Sequence, residues 1–227
     1  MSFKLEYQAF GEDALIIYWP QKINSKIRTD IHQFDHKIKS LIPNSILETV
    51  PAYCSLTLFL KSEINKRILI DQLKNLYSEN SFEVLKQTKI WDIPVCYDSS
   101  LGIDLENMAK TKNLSIEEII QLHTKETYVV DFLGFLPGFP YLSGLNPLLE
   151  MPRLSKPRIK IPQGSVAIGG KQTGIYPVSS PGGWHIIGQT PVTLFNPYKR
   201  MPCLLRPLDK IKFNAITLEE FKGLLND

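Results

Sequence analysis

At 227 residues, with 43% hydrophobic and 22% charged side chains, the chain suits one large or two small domains of ordinary globular composition. Its 26 basic and 23 acidic residues leave a net charge of +3 spread without runs, so neither a nucleic acid nor a membrane is expected as a partner. No run of about 18 apolar residues occurs, the N-terminus carries Lys4 and Glu6 in place of an apolar leader, and a cytoplasmic location is expected.

Residues 3–10 and 14–19 read as strands, the second a continuous apolar run expected of a strand covered on both faces. Ile23, Ile27, Ile31, Phe34, Ile38 and Leu41 recur at three- and four-residue steps and predict a helix that Pro43 and Asn44 end. Strands are expected over 46–50 and 53–60. A second helix follows on Ile64, Ile68, Leu69, Leu73 and Leu76, then a strand over 82–90. That order predicts an N-terminal α+β domain, residues 1–90, built as a ferredoxin-like layer of two helices on one sheet.

A second domain, residues 91–227, begins where the pattern changes near Pro94. Asp104 is placed to cap a short helix over Leu105, Met108 and Ala109. Ser115 and Glu118 have the spacing of a capping box, opening a helix whose apolar face is Ile116, Ile119, Ile120 and His123. Beyond residue 127, short apolar runs at 128–135, 165–168, 185–187, 192–195 and 211–213 alternate with Gly/Pro turns, as in a closed barrel or sandwich. Thr217 and Glu220 start a small C-terminal helix. Cys54, Cys96 and Cys203 are far apart, odd in number and set in apolar contexts, which favours reduced thiols over disulfides or zinc.

Four motifs concentrate Gly, Pro and aromatic residues: GFLPGFPYLSGL at 134–145, PRLSKPR at 152–158, IPQGSVAIGGKQTGIYP at 161–177 and SPGGWHIIGQTP at 180–191. Rigid loops around a concave surface are built from such residues. In this order and spacing the motifs resemble the KipI or allophanate hydrolase subunit 1 family. The resemblance implies a cyclophilin-like β-barrel for the second domain. It also implies membership of an ATP-dependent 5-oxoprolinase, whose A, B and C subunits together open 5-oxo-L-proline to glutamate, with ATP as co-substrate escorted by Mg2+ and no resident metal. Two other roles in the family stay open: an inhibitor of a sensor histidine kinase, and a scaffold within an amide-hydrolysing complex.

Ser180, Gly182, Gly183 and Trp184 form the first candidate site, where successive N–H groups turned to one side would hold a phosphate, carboxylate or oxyanion. The alternative is a tight turn between strands. Arg153 and Arg158 sit in a proline-stiffened segment suited to clamping an anion, against the alternative of a solvated basic loop. Gln172 and Tyr176 are placed to orient an amide. The stretch from Gly164 to Thr173 falls short of a phosphate-binding loop, because Gly170 and Gln172 intrude around Lys171. His185 is the histidine to test as an acid or base, with Arg158 and Tyr176 as its catalytic companions. A Ser180–His185–Asp209 triad lacks the Gly-x-Ser-x-Gly elbow. His123, on an apolar helix face, reads as a core histidine that supports the site. Phe135 and Leu136 are expected to pack inside, whereas Pro137, Gly138, Phe139 and Tyr141 wall a pocket or form half of an interface. Two residues depart from the family pattern: Gln189 stands where Arg is expected and Leu208 where Gly is expected.

Overall fold

The computed structural model describes residues 3–62, 64–79 and 89–226, and the chain divides into two compact units, Met1–Gln87 and Thr88–Asp227. The α+β expectation holds. In the first unit, strands β1 (Glu6–Phe10), β2 (Ala14–Tyr18), β3 (Ile46–Pro51) and β4 (Ser55–Leu60) form an antiparallel sheet in the order β1-β2-β4-β3. Helices α1 (Ser25–Leu41) and α2 (Lys66–Ser78) complete it, each opened by an asparagine, Asn24 or Asn65, whose side chain accepts first-turn N–H groups. Because β4 lies between β2 and β3, β2-α1-β3 is a split β-α-β unit. The strand expected over 82–90 falls outside the described residues up to position 88.

Strand β2 is fully covered on one face and only partly on the other. Leu15, Ile17 and Trp19 join Ile31, Phe34, Leu56, Leu58 and Leu73 in one core, while Ile16 and Tyr18 on the other face stay half-buried. The alternating pleat enforces this, since both helices supply the same core. One carboxylate organises that core's polar interior: buried Asp30 Oδ2 accepts both Trp19 Nε1–H and the Tyr77 hydroxyl at 2.6 Å.

The second unit is a closed barrel of seven strands. In chain order these are β5 (Ile90–Cys96), β6 (Thr127–Leu133), β7 (Pro140–Ser143), β9 (Ser165–Gly169), β10 (Gln172–Ile175), β12 (His185–Gln189) and β13 (Lys210–Ile216). Around the barrel they run β10-β7-β6-β13-β5-β12-β9, with β5 and β13 parallel. A separate two-stranded ribbon joins β8 (Arg158–Ile161) to β11 (Ser180–Gly182). Residues 192–195 do not form a strand; Phe195 makes a single bridge to Cys203. The run from Tyr128 ends at Leu133, and Phe135 takes a left-handed backbone angle, φ 68°.

Alternate residues of the strands, among them Val95, Val130, Leu142, Val166, Ile175 and Phe213, fill the interior. Helices α3 (Leu105–Lys112) and α4 (Ile116–Lys125) lie against β12 and β13, and α5 (Leu218–Asn226) against β5. The Ser115–Glu118 capping box forms as expected and fixes the start of α4. Asp104 does not cap α3, because its carboxylate is engaged elsewhere.

From α4, His123 enters the barrel fully buried and stacks on Phe213 with ring centroids 4.6 Å apart. Its Nε2 is 3.0 Å from Thr173 Oγ1, which itself donates to the Ala167 carbonyl; its Nδ1 is 2.8 Å from the Tyr97 hydroxyl. Those roles assign the proton to Nε2 and make Nδ1 the acceptor of the Tyr97 O–H. Burial lowers the imidazole pKa from 6.5 to about 3. Between these two values the unfolded chain binds the extra proton, so stability is complete above pH 6.5 and falls as the pH drops toward 3. His123→Leu should be less stable at pH 7 by about 1–3 kcal/mol, because the Tyr97 hydroxyl loses its acceptor. Its unfolding free energy should also lose up to about 1.4 kcal/mol less per pH unit than wild type on going from pH 6 to pH 4, measured by urea denaturation.

Candidate functional site

One face of the barrel carries a cleft of about 310 Å3, lined by Phe135, Phe139, Tyr141, Arg153, Leu154, Pro157, Tyr176, Pro181, Gly182, Gly183 and Trp184. Its floor is a second apolar core outside the barrel, in which Phe139, Ile161, Tyr176, Trp184 and Ile186 are buried. Trp184 reaches that floor only because residue 169 is glycine: a Cβ there would stand 2.6 Å from three atoms of the indole ring. The Trp184 ring packs nearly perpendicular to Phe139 and Tyr141, at 5.5 and 5.8 Å between centroids with interplanar angles of 84° and 75°.

The turn from Gly134 to Phe139 is drawn tight by hydrogen bonds from Leu136 N–H to the Gly134 carbonyl and from Phe139 N–H to the Leu136 carbonyl. It leaves Phe135 60% exposed at the cleft, edge-on to Phe139 and Tyr176. The expectation that Phe135 packs inside is therefore corrected. A left-handed angle on a side chain of this size costs about 1–2 kcal/mol, and here it turns the ring toward the opening. Pro137 and Gly138 form the back of this turn and do not line the cleft; Gly138, at φ 80°, lets the turn close against Phe195.

Arg153 is presented by a strap anchored at three residues. Met151 exchanges hydrogen bonds with Gly170, the Pro152 carbonyl accepts His185 Nε2–H at 2.9 Å, and Leu154 N–H donates to the Gly183 carbonyl at 2.8 Å. The exposed guanidinium lies 5.9 Å from the Trp184 ring centroid, within cation–π range, and makes no ion pair with the described residues. His185 is 4% exposed, does not line the cleft, and leaves Nδ1 buried without a hydrogen-bond partner among the described residues. Its visible work is to hold the strap.

Tyr176 lines the floor, with its oxygen near the Trp184 backbone N–H. Burial raises its pKa, against the opposing pull of that N–H and of Arg153 and Arg158. Arg158 stands beside Gly182 across the ribbon but is not among the residues that line the cleft, its Nη2 bonded to Asp104 Oδ1 at 2.6 Å. Neither Gly182 nor Gly183 has a positive φ, so the alternating N–H nest expected at this turn is not formed. Glycine serves a different need at 182, because a Cβ would stand 2.3 Å from the Tyr176 hydroxyl.

Gln172 neighbours Gly169 on the adjacent strand, outside the cleft lining, with Nε2 buried and without a hydrogen-bond partner among the described residues. Ser180 bonds the Pro181 carbonyl, and Asp209 is taken by Lys89, Trp91 and Arg206, so no Ser180–His185–Asp209 triad assembles. Gln189, at the departure from Arg, donates to the Gln163 carbonyl and lies outside the lining. Sequence reasoning missed Asp104 as a partner of the site, since its contact to Arg158 spans 54 residues.

A family model described as the carboxyltransferase domain, subdomain C and D, matches residues 5–205. The B subunit of the 5-oxoprolinase of Bacillus subtilis (strain 168) is 38% identical over 97% of this chain and 97% of that protein. The crystal structure of TTHA0988 is 34% identical over 89% of this chain, with a TM-score of 0.79. This chain spans about two fifths of that one, 40%. The fold alone is shared with the urea amidolyase of K. lactis, at 22% identity and a TM-score of 0.84 over all of this chain and 16% of that one.

The glycine at 182 gives a direct test of the cleft's geometry. Gly182→Ala should destabilise the protein by about 1–3 kcal/mol, because the Tyr176 hydroxyl must move. Tyr176→Phe in that background should recover part of the loss by removing the oxygen the new methyl meets. Gly183→Ala, whose Cβ would meet nothing closer than 3.6 Å, should change stability by less than about 0.5 kcal/mol in the same thermal melts.

Proposed function

The chain belongs to the carboxyltransferase-domain family of subdomains C and D, and from that premise we propose that it is the B subunit of a 5-oxoprolinase. The observation that carries this reading is the 38% identity to the Bacillus subtilis protein, which extends over 97% of both chains. The cleft supports it: 310 Å3 suits a small ring compound, and its aromatic walls leave a guanidinium uncommitted.

In this reading 5-oxo-L-proline lies with its ring against Trp184 and Tyr141 and its carboxylate on Arg153. The Tyr176 hydroxyl, on the cleft floor, donates toward the lactam oxygen. A lactam is a poor electrophile. Transfer of a phosphoryl group from ATP to its oxygen makes the ring carbon open to water, and loss of phosphate with cleavage of the C–N bond yields glutamate and ADP. The A and C subunits share the work, and ATP with Mg2+ is held by the assembly, since the Gly164–Thr173 stretch lacks the order of a phosphate-binding loop. Arg158, paired with Asp104 and outside the cleft lining, supports the ribbon and offers no free charge to the substrate.

The test is release of ADP and glutamate from ATP and 5-oxo-L-proline, by this chain alone and assembled with its candidate A and C subunits. Turnover is expected only with all three present. In the active assembly Arg153→Gln should raise KM for 5-oxo-L-proline about 10- to 100-fold, with a smaller change in kcat. An assembled, folded complex that releases no glutamate overturns the reading, and an unchanged KM in Arg153→Gln removes Arg153 from it.

A further inference from the structure

The loop before α3 is pressed onto β12. Leu101 and Gly102 N–H both donate to the Asp98 carbonyl, at 2.9 and 2.7 Å, and a Cβ on Gly102 would stand 2.4 Å from the Ile187 carbonyl oxygen. Only glycine allows so close an approach. Asp104 is thereby delivered to β12 as though it were part of a strand. Its N–H donates to the Ile186 carbonyl at 2.9 Å and its Oδ2 accepts the Ile186 N–H at 2.7 Å. The other oxygen, Oδ1, takes Arg158 Nη2 at 2.6 Å, with the carboxylate side chain 8% and the arginine 29% exposed.

The geometry points to Asp104 as a positioning residue that ties the β8–β11 ribbon to the barrel and so holds the Gly182 wall of the cleft against Tyr176. The ribbon needs such a tie. It belongs to none of the barrel's ladders, carries a register shift between Ser180 and Gly182, and a two-stranded ribbon is marginal by itself. Arg158 sits at the register position opposite Gly182, so a restraint on the guanidinium is a restraint on the wall. Arg158 Nη1 is buried and has no hydrogen-bond partner among the described residues, which leaves Asp104 as the carboxylate that fixes this side chain. Removal of that carboxylate leaves a partly buried cation without an anion and frees the ribbon to move. The role in catalysis rests on the 5-oxoprolinase reading; the tie itself does not.

Two measurements separate these. In the full chain, Asp104→Asn and Arg158→Gln should each speed amide hydrogen exchange in the ribbon, residues 158–161 and 180–182, while leaving β5 and β13 protected. The double variant should exchange no faster than either single one, because both remove the same contact. Unchanged ribbon exchange in both single variants overturns the inference. In the active assembly, Asp104→Asn should lower kcat/KM for 5-oxo-L-proline by about 10- to 100-fold, mainly through KM, and lose little further activity when combined with Arg158→Gln. Additive losses would show that Asp104 does not act through Arg158 and would also overturn it. Should the wild-type assembly fail to release glutamate, the functional reading falls, and the exchange measurement still decides whether Asp104 holds the ribbon.

Discussion

Trp184 lies directly on the backbone of Gly169, and the cleft is assembled from what that contact fixes. The indole cannot sink further, since no side chain separates it from the strand, and it cannot tip, since Phe139 and Tyr141 pack nearly perpendicular to it. Its backbone N–H lies near the Tyr176 oxygen, and its ring is the surface over which Arg153 is spread. The Phe139 and Tyr141 rings and the Arg153 guanidinium thus all pack against one residue whose own position is set by the absence of a Cβ on its neighbour. Adding a single methyl at 169 would shift all of them together.

Charge is distributed around this cluster unequally. Arg158 is largely withdrawn from solvent and is matched by Asp104, a pair whose Coulomb attraction offsets the desolvation of both groups. Arg153 stays exposed, keeps its hydration, and reaches the cleft without a protein counter-ion among the described residues. An arriving carboxylate therefore meets a cation whose attraction is not already spent on a neighbour. The strap makes this possible at small entropic cost, because Met151, Pro152 and Leu154 are hydrogen-bonded before any ligand arrives.

Helices were legible because their signals are local. The Ser115–Glu118 box and the three- and four-residue apolar steps of α1 each lie within a few turns of the positions they specify. Strands β7, β8, β10 and β11 were not, since runs of three or four residues are too short to show a period, and only closure of the barrel and ribbon defines them. The site divides in the same way. Arg153, Tyr176 and Trp184 were found from rigid, aromatic motifs that do line one cleft, whereas the placement of His185 under the strap and of Asp104 beneath the ribbon depends on contacts 33 and 54 residues apart. Leu208 shows local chemistry explaining a family expectation: at φ 72° it occupies an angle glycine takes without strain.

The lining also sets what this chain can contribute to a reaction. It offers one guanidinium, two phenols, an indole and backbone groups, and no carboxylate, imidazole or amine among the described residues. Such a wall binds an anion, packs a ring and donates a hydrogen bond to a carbonyl oxygen. It has no group basic enough near neutral pH to activate water, since burial raises both Tyr141 and Tyr176 further from that range. For the proposed opening of a lactam, the proton-abstracting base and the phosphoryl donor would come from outside this lining. In the proposed reading the substrate is held by this chain and attacked from a partner subunit, a division of labour that suits a cleft able to bind but not to activate water.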